Sequence, residues 1–151
     1  MPILSPPDEN AVRQKFQDEL DVPVRLTLVT HEPIGGLIVP GRDCSSCTST
    51  RQLAQEVSDL SPEITLEIVD FYREPDRVAE IGVDKIPALA VHHEGSDGAT
   101  FYGLPSGHEF PLFLDAIVSA SNGDTGLSGD TLEALGKLEE DVHIQVFATP
   151  T

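Results

Sequence analysis

Cys44 and Cys47 are the two cysteines of the 151-residue chain, and their spacing is C-x-x-C. Sulfurs three residues apart can share one face of a helical turn, close enough to form or resolve a disulfide. Such a pair works when its first sulfur is a thiolate near neutral pH. A free thiol ionises at about 8.5, so it needs help, and a helix N-terminus supplies partial positive charge and unpaired N–H groups. Leu53, Val57 and Leu60 fall at i, i+4 and i+7, which predicts a helix whose first turn begins close to Cys44. Position and spacing therefore suit thiol–disulfide exchange. Two other readings stand beside it. The pair could be half of a zinc site completed by two of His31, His92, His93, His108 and His143, or it could be two inert buried thiols. The polar flanks Arg42-Asp43 and Ser45-Ser46 argue for exposure. Two cysteines are too few for a disulfide-rich scaffold or a closed all-cysteine zinc site.

The elements that must position this pair follow from periodicity. Val12, Phe16 and Leu20 form one helical stripe in a segment from Asp8 to Leu20, with Asp8 as the expected N-cap. Pro23 stops that helix, and Val24, Leu26 and Leu28 alternate as a strand. His31 to Asp43, with two prolines and three glycines, is a long loop that delivers the chain to the cysteines. After the cysteine helix, Ser61-Pro62 ends the run. Ile64, Leu66 and Ile68 then alternate with Val69 and Phe71 on the other face, which predicts a well-buried strand. Pro75 and Gly82 sit where a helix takes its N1 proline and C′ glycine, around Val78 and Ile81.

A strand beginning at Pro87 runs to Val91. A hairpin loop from His93 to Gly98 returns it through Thr100 to Tyr102. If Pro87 faces the cysteines, His92 and His93 lie about 17 Å away at ~3.3 Å per residue. Phe110, Phe113, Leu114, Ile117 and Val118 then mark the clearest apolar helix face. Ser119 to Asp130, with three glycines and three serines, reads as a linker. It leads to a helix through Leu132, Leu135 and Leu138 and a strand through Val142, Ile144 and Val146.

Composition excludes several roles. Hydrophobic residues make up 39 %, enough for one real core. Nine Lys and Arg against 26 Asp and Glu give a net charge of −17, which repels nucleic acid and anionic membranes. No apolar run approaches the ~20 residues of a membrane helix. The stretch from Met1 to Asn10 is not a signal peptide, so a cytoplasmic location is expected. The acidity fits a strongly hydrated surface better than a docking role.

A C-x-x-C at a strand-to-helix junction in a β-α-β unit is a thioredoxin-like pattern. The chain resembles the thioredoxin-fold family, and within it the N-terminal unit of the glutaredoxin-like protein disulfide oxidoreductases. The resemblance is carried by Cys44-Ser45-Ser46-Cys47, the run from Glu67 to Phe71, Lys85-Ile86-Pro87-Ala88, and the run from Phe101 to Phe110. It implies an α/β thioredoxin-like fold, a central mixed sheet flanked by helices. An extra N-terminal helix (residues 1–21) precedes the fold unit (22–121). A linker, a helix and the first strand of a truncated second unit (122–151) follow it. The resemblance further implies a cis Ile86–Pro87 bond opposite the dithiol, with Ile86, Pro87, Ser45 and Ser46 contacting substrate. Cys44 would be the nucleophile and Cys47 the resolving thiol, with no cofactor and no metal. The implied partners are disulfide-containing proteins and an electron donor resembling thioredoxin reductase. The second reading is an electron-relay or docking module like the N-terminal domain of the alkyl hydroperoxide reductase flavoprotein. The chain departs from the family in its Ser-Ser dipeptide, its longer loop before Cys44, and the lack of a second C-x-x-C after Val142 to Thr151. Without a second unit, the C-terminal strand is expected either to pair with a second copy in a homodimer or to be poorly ordered.

Overall fold

The computed structural model describes residues 2–32, 40–92 and 98–147. The chain enters through α1 (Pro6–Glu19), whose N-cap is Ser5 rather than Asp8. Ser5 Oγ accepts from the Asp8 N–H at 3.4 Å and donates to Asp8 Oδ2 at 2.6 Å. Pro6 can open the helix because the first N–H has no partner there anyway. Asp8 thus becomes a first-turn carboxylate facing the positive helix end. The stripe buries Val12 and Phe16.

A four-stranded mixed sheet in the order β2-β1-β3-β4 carries the rest. β1 (Val24–Thr30) pairs parallel with β2 (Ile64–Asp70), in a register that ends Thr30 opposite Asp70. β3 (Ala88–His92) runs antiparallel to β1, with Ala88 opposite Val29, and β4 (Thr100–Tyr102) runs antiparallel to β3. This register makes β3–β4 the expected hairpin, although its loop lies largely outside the described residues. Gly98 is required next to that loop, because a Cβ there would collide with the Val91 carbonyl.

α2 (Cys47–Ser58) and α4 (Glu109–Asn122) join α1 on one face of the sheet. Phe16, Leu26, Leu28, Leu53, Val57, Leu89, Phe113 and Ile117 form the core there, each at most 1 % exposed. Each such side chain stabilises the fold by about 1.5–3 kcal/mol. The opposite face holds a smaller cluster. There α3 (Pro75–Ile81) lays Val78 over Val29, Val69, Val83 and Ala88. Pro75 opens α3, and Gly82 ends it at φ +77°, a conformation that favours glycine.

β2 differs from the expected well-buried strand. It is an edge of the sheet, and Ile68 stays 37 % exposed. The sequence alternation is the same either way, because α2 and α3 each cover part of its faces while no strand lies beyond it among the described residues. α4 is also longer than its apolar face suggests. Ser119 to Asn122 form its last turn instead of a linker, and Gly123 ends it at φ +72°. Ser121 is the reason for the extra turn. Its hydroxyl accepts from the Asp21 and Val22 N–H groups at 2.9 Å and donates to the Val22 carbonyl at 2.6 Å.

Past Gly123 the expectation of a packed helix and strand is not met. α5 is short (Gly129–Leu135) and buries no residue. Residues 141–147 form no strand, and Val142, Ile144, Val146 and Phe147 are 62–90 % exposed. The described sheet edges do not take up this segment.

Ser121 is 4 % exposed, and Ser121→Ala would strand the two N–H groups at the start of β1. We expect the variant to lose about 1–3 kcal/mol in urea unfolding. A loss below about 0.5 kcal/mol, the range of a neutral surface change, would contradict the role assigned to this hydroxyl. Removing residues 124–151 should leave the unfolding midpoint of the remainder unchanged, since the described part of that segment buries nothing.

Candidate functional site: a disulfide at the end of the sheet

α2 begins at Cys47, three residues past Cys44, so Cys47 is the first helical residue and Ser46 its N-cap. Ser46 makes no side-chain cap. Its carbonyl accepts instead from the Thr50 N–H and the Thr50 hydroxyl, both at 2.9 Å. Helix formation starts there because Cys47, Thr50, Leu53, Ala54 and Val57 are the residues the core takes up. Cys44 sits in the bend just outside the helix. A disulfide joins Cys44 to Cys47 with their Cα atoms 5.4 Å apart. The two sulfurs have unequal surroundings: Cys47 is 3 % exposed, whereas Cys44 is half-buried and Ser45 beside it exposed. The half-buried Cys44 departs from the reading of two inert buried thiols. Among the described residues, no group of three or more His, Cys, Asp and Glu side chains is arranged to hold a metal.

The strand register brings further residues to the same end of the sheet. Thr30 and Asp70 end the parallel pair, and Ala88 begins the antiparallel neighbour of β1. The Ile86–Pro87 bond that precedes Ala88 is cis. Pro87 is buried and its carbonyl accepts from the Gly103 N–H at 2.9 Å. Ile86 is half-buried against the cluster under α3, and its peptide groups make no backbone hydrogen bond among the described residues. The structure thus gathers Cys44, Cys47, Ser45, Ser46, Ile86 and Pro87 at one end of the fold. Of the histidines, His31 lines the pocket beside Cys47, and His92 ends β3 at the opposite end of that strand.

The residues that frame this site are not marked by any motif. Asp70 accepts from the Tyr72 and Arg73 N–H groups at 3.0 Å, from the Glu32 N–H at 3.5 Å, and faces His31 Nδ1 at 3.4 Å. Burial pushes its carboxyl up, but these backbone donors and His31 outweigh burial and hold it below the ordinary aspartate range. The His31 ring meets Tyr72 edge-on at 4.8 Å, and Arg42 covers the Tyr72 ring at 4.4 Å. Arg51 of α2 pairs with Glu32 at 2.7 Å. A pocket of about 70 Å³ lies between these residues, lined by Thr30, His31, Glu32, Cys47, Thr48 and Arg51. No sequence signal points to it, since only the parallel register brings His31 beside Asp70.

No protein-family model matches the chain. The protein disulfide oxidoreductase of Aeropyrum pernix K1 superposes with a TM-score of 0.73 over 89 % of this chain and 55 % of its own, at 21 % identity. This is a thioredoxin-like fold. The alkyl hydroperoxide reductase AhpF of Enterococcus faecalis superposes equally, with a TM-score of 0.73 over 89 % of this chain and 61 % of its own, at 20 % identity. In sequence, the chain is 28 % identical over 102 residues to the corresponding alkyl hydroperoxide reductase protein of Staphylococcus aureus. That match takes in 67 % of this chain and 18 % of the relative, so the chain spans under a fifth of the length of these curated relatives. The thioredoxin-like fold expected from the resemblance is thus matched by both superpositions.

Asp70 gives a pH signature. Its carboxyl is held low in the fold, so its contribution to stability is present above the unfolded aspartate range and is lost as pH falls through the folded value. In urea unfolding from neutral to acid pH, Asp70→Asn should be less stable than the parent near pH 7. The gap should close as the medium becomes strongly acid. A gap independent of pH would contradict the charge-based assignment.

Proposed function

We propose that the protein is a thiol–disulfide oxidoreductase that exchanges disulfides with protein substrates through Cys44 and Cys47. The observation that carries this reading is the disulfide at the first turn of α2, half-exposed on the Cys44 side and buried on the Cys47 side. In the reduced protein, the Cys44 thiolate attacks one sulfur of a substrate disulfide. The Cys44–substrate bond forms, the substrate S–S bond breaks, and its electron pair leaves on the other substrate sulfur, which takes a proton. The Cys47 thiolate then attacks Cys44 Sγ, closing the protein disulfide and releasing the second substrate thiol. Two electrons pass from the dithiol to the substrate, and the reverse sequence oxidises a substrate dithiol. The start of α2 favours the thiolate through its unpaired N–H groups. Ser45 and Ser46 border the attacking sulfur. The open peptide groups of Ile86 suit an extended substrate segment running beside Pro87.

The match to the alkyl hydroperoxide reductase of Staphylococcus aureus favours a second reading, an electron-relay module that passes electrons to a dedicated partner. Insulin reduction with dithiothreitol separates the two, since turnover supports a general protein substrate and silence supports the relay.

The wider expectations belong to the same proposal. They are a fold unit over residues 22–121 with residues 122–151 leading into a second unit, a reductase resembling thioredoxin reductase as electron donor, and a cytoplasmic location. No helix among the described residues is long and apolar enough to cross a membrane. The exposed Val142, Ile144 and Val146 would pair with a second copy of the chain. Crosslinking and size exclusion with and without the residues after Asn122 test this: a dimer should be lost on truncation.

Alkylation of the reduced protein near pH 7 should label Cys44 first, because it is the more exposed thiol. Cys44→Ser should abolish insulin reduction. Preferential labelling of Cys47, found by peptide mapping, would sink the assignment.

A further inference from the structure

Arg51 and Arg42 both come near the dithiol, and they differ in what holds them. Arg51 lines the pocket beside Cys47 and is paired with Glu32 at 2.7 Å. Arg42 stands two residues before Cys44, which keeps the two Cα atoms within about 7 Å of each other. It is exposed and lies over the Tyr72 ring at 4.4 Å. No hydrogen bond or ion pair occupies its guanidinium among the described residues, not even with Asp43 next to it in the chain. In a chain of net charge −17, an unpaired cation beside the exposed sulfur reverses the sign of the surface locally.

The contact with Tyr72 decides what Arg42 can still bind. The ring attracts the charge without taking up the N–H donors as hydrogen bonds would. Those donors stay open to a carboxylate, whose two oxygens match two parallel N–H groups of a guanidinium. The ring itself is held in place. The Tyr72 N–H donates to Asp70 Oδ1 at 3.0 Å, and the ring meets His31 and Phe71 edge-on at 4.8 and 5.2 Å. A guanidinium preset in this way loses less freedom on binding than a free side chain does. During exchange the substrate sulfur is joined to Cys44, so the substrate chain passes close to Arg42. A residue two positions from that cysteine lies about 7 Å along an extended segment. That span matches the separation of Arg42 from Cys44.

We propose that Arg42, held on Tyr72, selects protein substrates that carry an acidic side chain about two residues from the disulfide cysteine. This rests on the reading of the protein as an oxidoreductase in which Cys44 attacks the substrate. The exchange of bonds is the one already described. The substrate carboxylate pairs with the Arg42 guanidinium while the Cys44–substrate bond forms. Arg51 does not serve in this way, because Glu32 already occupies it. Away from Arg42 the negative surface of the chain repels acidic partners. The selection is therefore for an acidic residue beside the disulfide and not for an acidic protein as a whole. Arg42 touches the substrate but none of the reacting atoms, and Tyr72 is a positioning residue.

The test uses the reduced full chain and peptide homodimers joined by one disulfide. Each strand is Ala-X-Ala-Cys-Ala-X-Ala, with X either glutamate or glutamine. The rate constant of exchange is measured in single turnover at pH 7 and low salt. It is divided by that of dithiothreitol with the same peptide, which removes the effect of X on the disulfide itself. The corrected glutamate-to-glutamine ratio should be about threefold for the parent, the scale of one exposed charge pair. Arg42→Gln should bring the ratio to one or below, since only the negative surface then acts on the peptide. Tyr72→Phe keeps the ring and should keep the preference, whereas Tyr72→Leu should reduce it. The ratio compares two substrates of one variant, so a general loss of activity or stability does not move it. A parent ratio of one or less, or a preference that survives Arg42→Gln, overturns the inference alone. Full preference in Tyr72→Leu overturns the role of the ring. No exchange with either peptide overturns the oxidoreductase reading, and the inference with it.

Discussion

The carboxylate of Asp70 ties together the end of the sheet on which the dithiol rests. β1 and β2 run parallel and stop in step, which leaves the peptide groups beyond Thr30 and Asp70 without ladder partners. Phe71 donates its N–H to the Thr30 carbonyl at 2.8 Å, and Asp70 collects the N–H groups of Glu32, Tyr72 and Arg73. One half-buried side chain thus turns two chain segments away from the sheet at once. It also fixes Tyr72, on which Arg42 lies, two residues ahead of Cys44. Losing the Asp70 charge would release both segments, and the pocket beside Cys47 depends on their positions.

On this platform the dithiol acquires its asymmetry. The core takes up α2 from Cys47 onward, so one sulfur is drawn under the helix and the other remains in the bend outside. The chain as a whole carries −17, and at the pocket beside Cys47 the one basic lining residue, Arg51, is paired with Glu32.

Much of this was legible in the residues. The 3.6-residue stripes through Val12-Phe16, Leu53-Val57 and Phe113-Ile117 mark three helices because each packs one face on one sheet. Pro75 and Gly82 bound α3 through their backbone preferences, which act locally. Most of what failed was set by distant partners, the N-cap of α1 being the local exception. Ser5 displaced Asp8 as N-cap because two prolines can occupy the first turn, so the helix could start earlier. Ser121 extended α4 because its hydroxyl meets backbone groups a hundred residues away in sequence. Ile68 alternates like a buried strand residue, yet strand order leaves β2 at an edge, and alternation carries no information about order. Val142, Ile144 and Val146 have strand periodicity, but no described edge takes them up. The His31–Asp70 pair was invisible for the same reason, since only the parallel register brings the two together.

Exchange of this kind requires that Cys44 be the sulfur that joins substrate while Cys47 waits beneath the helix. Trapping measures this directly. Each single serine variant, Cys47→Ser and Cys44→Ser, would be incubated with a protein substrate containing a disulfide, and the adducts mapped by mass spectrometry under non-reducing conditions. The expected result is a stable mixed disulfide through Cys44 in Cys47→Ser and little or none in Cys44→Ser. Adducts that form through Cys47 alone, or form in neither variant, would contradict it.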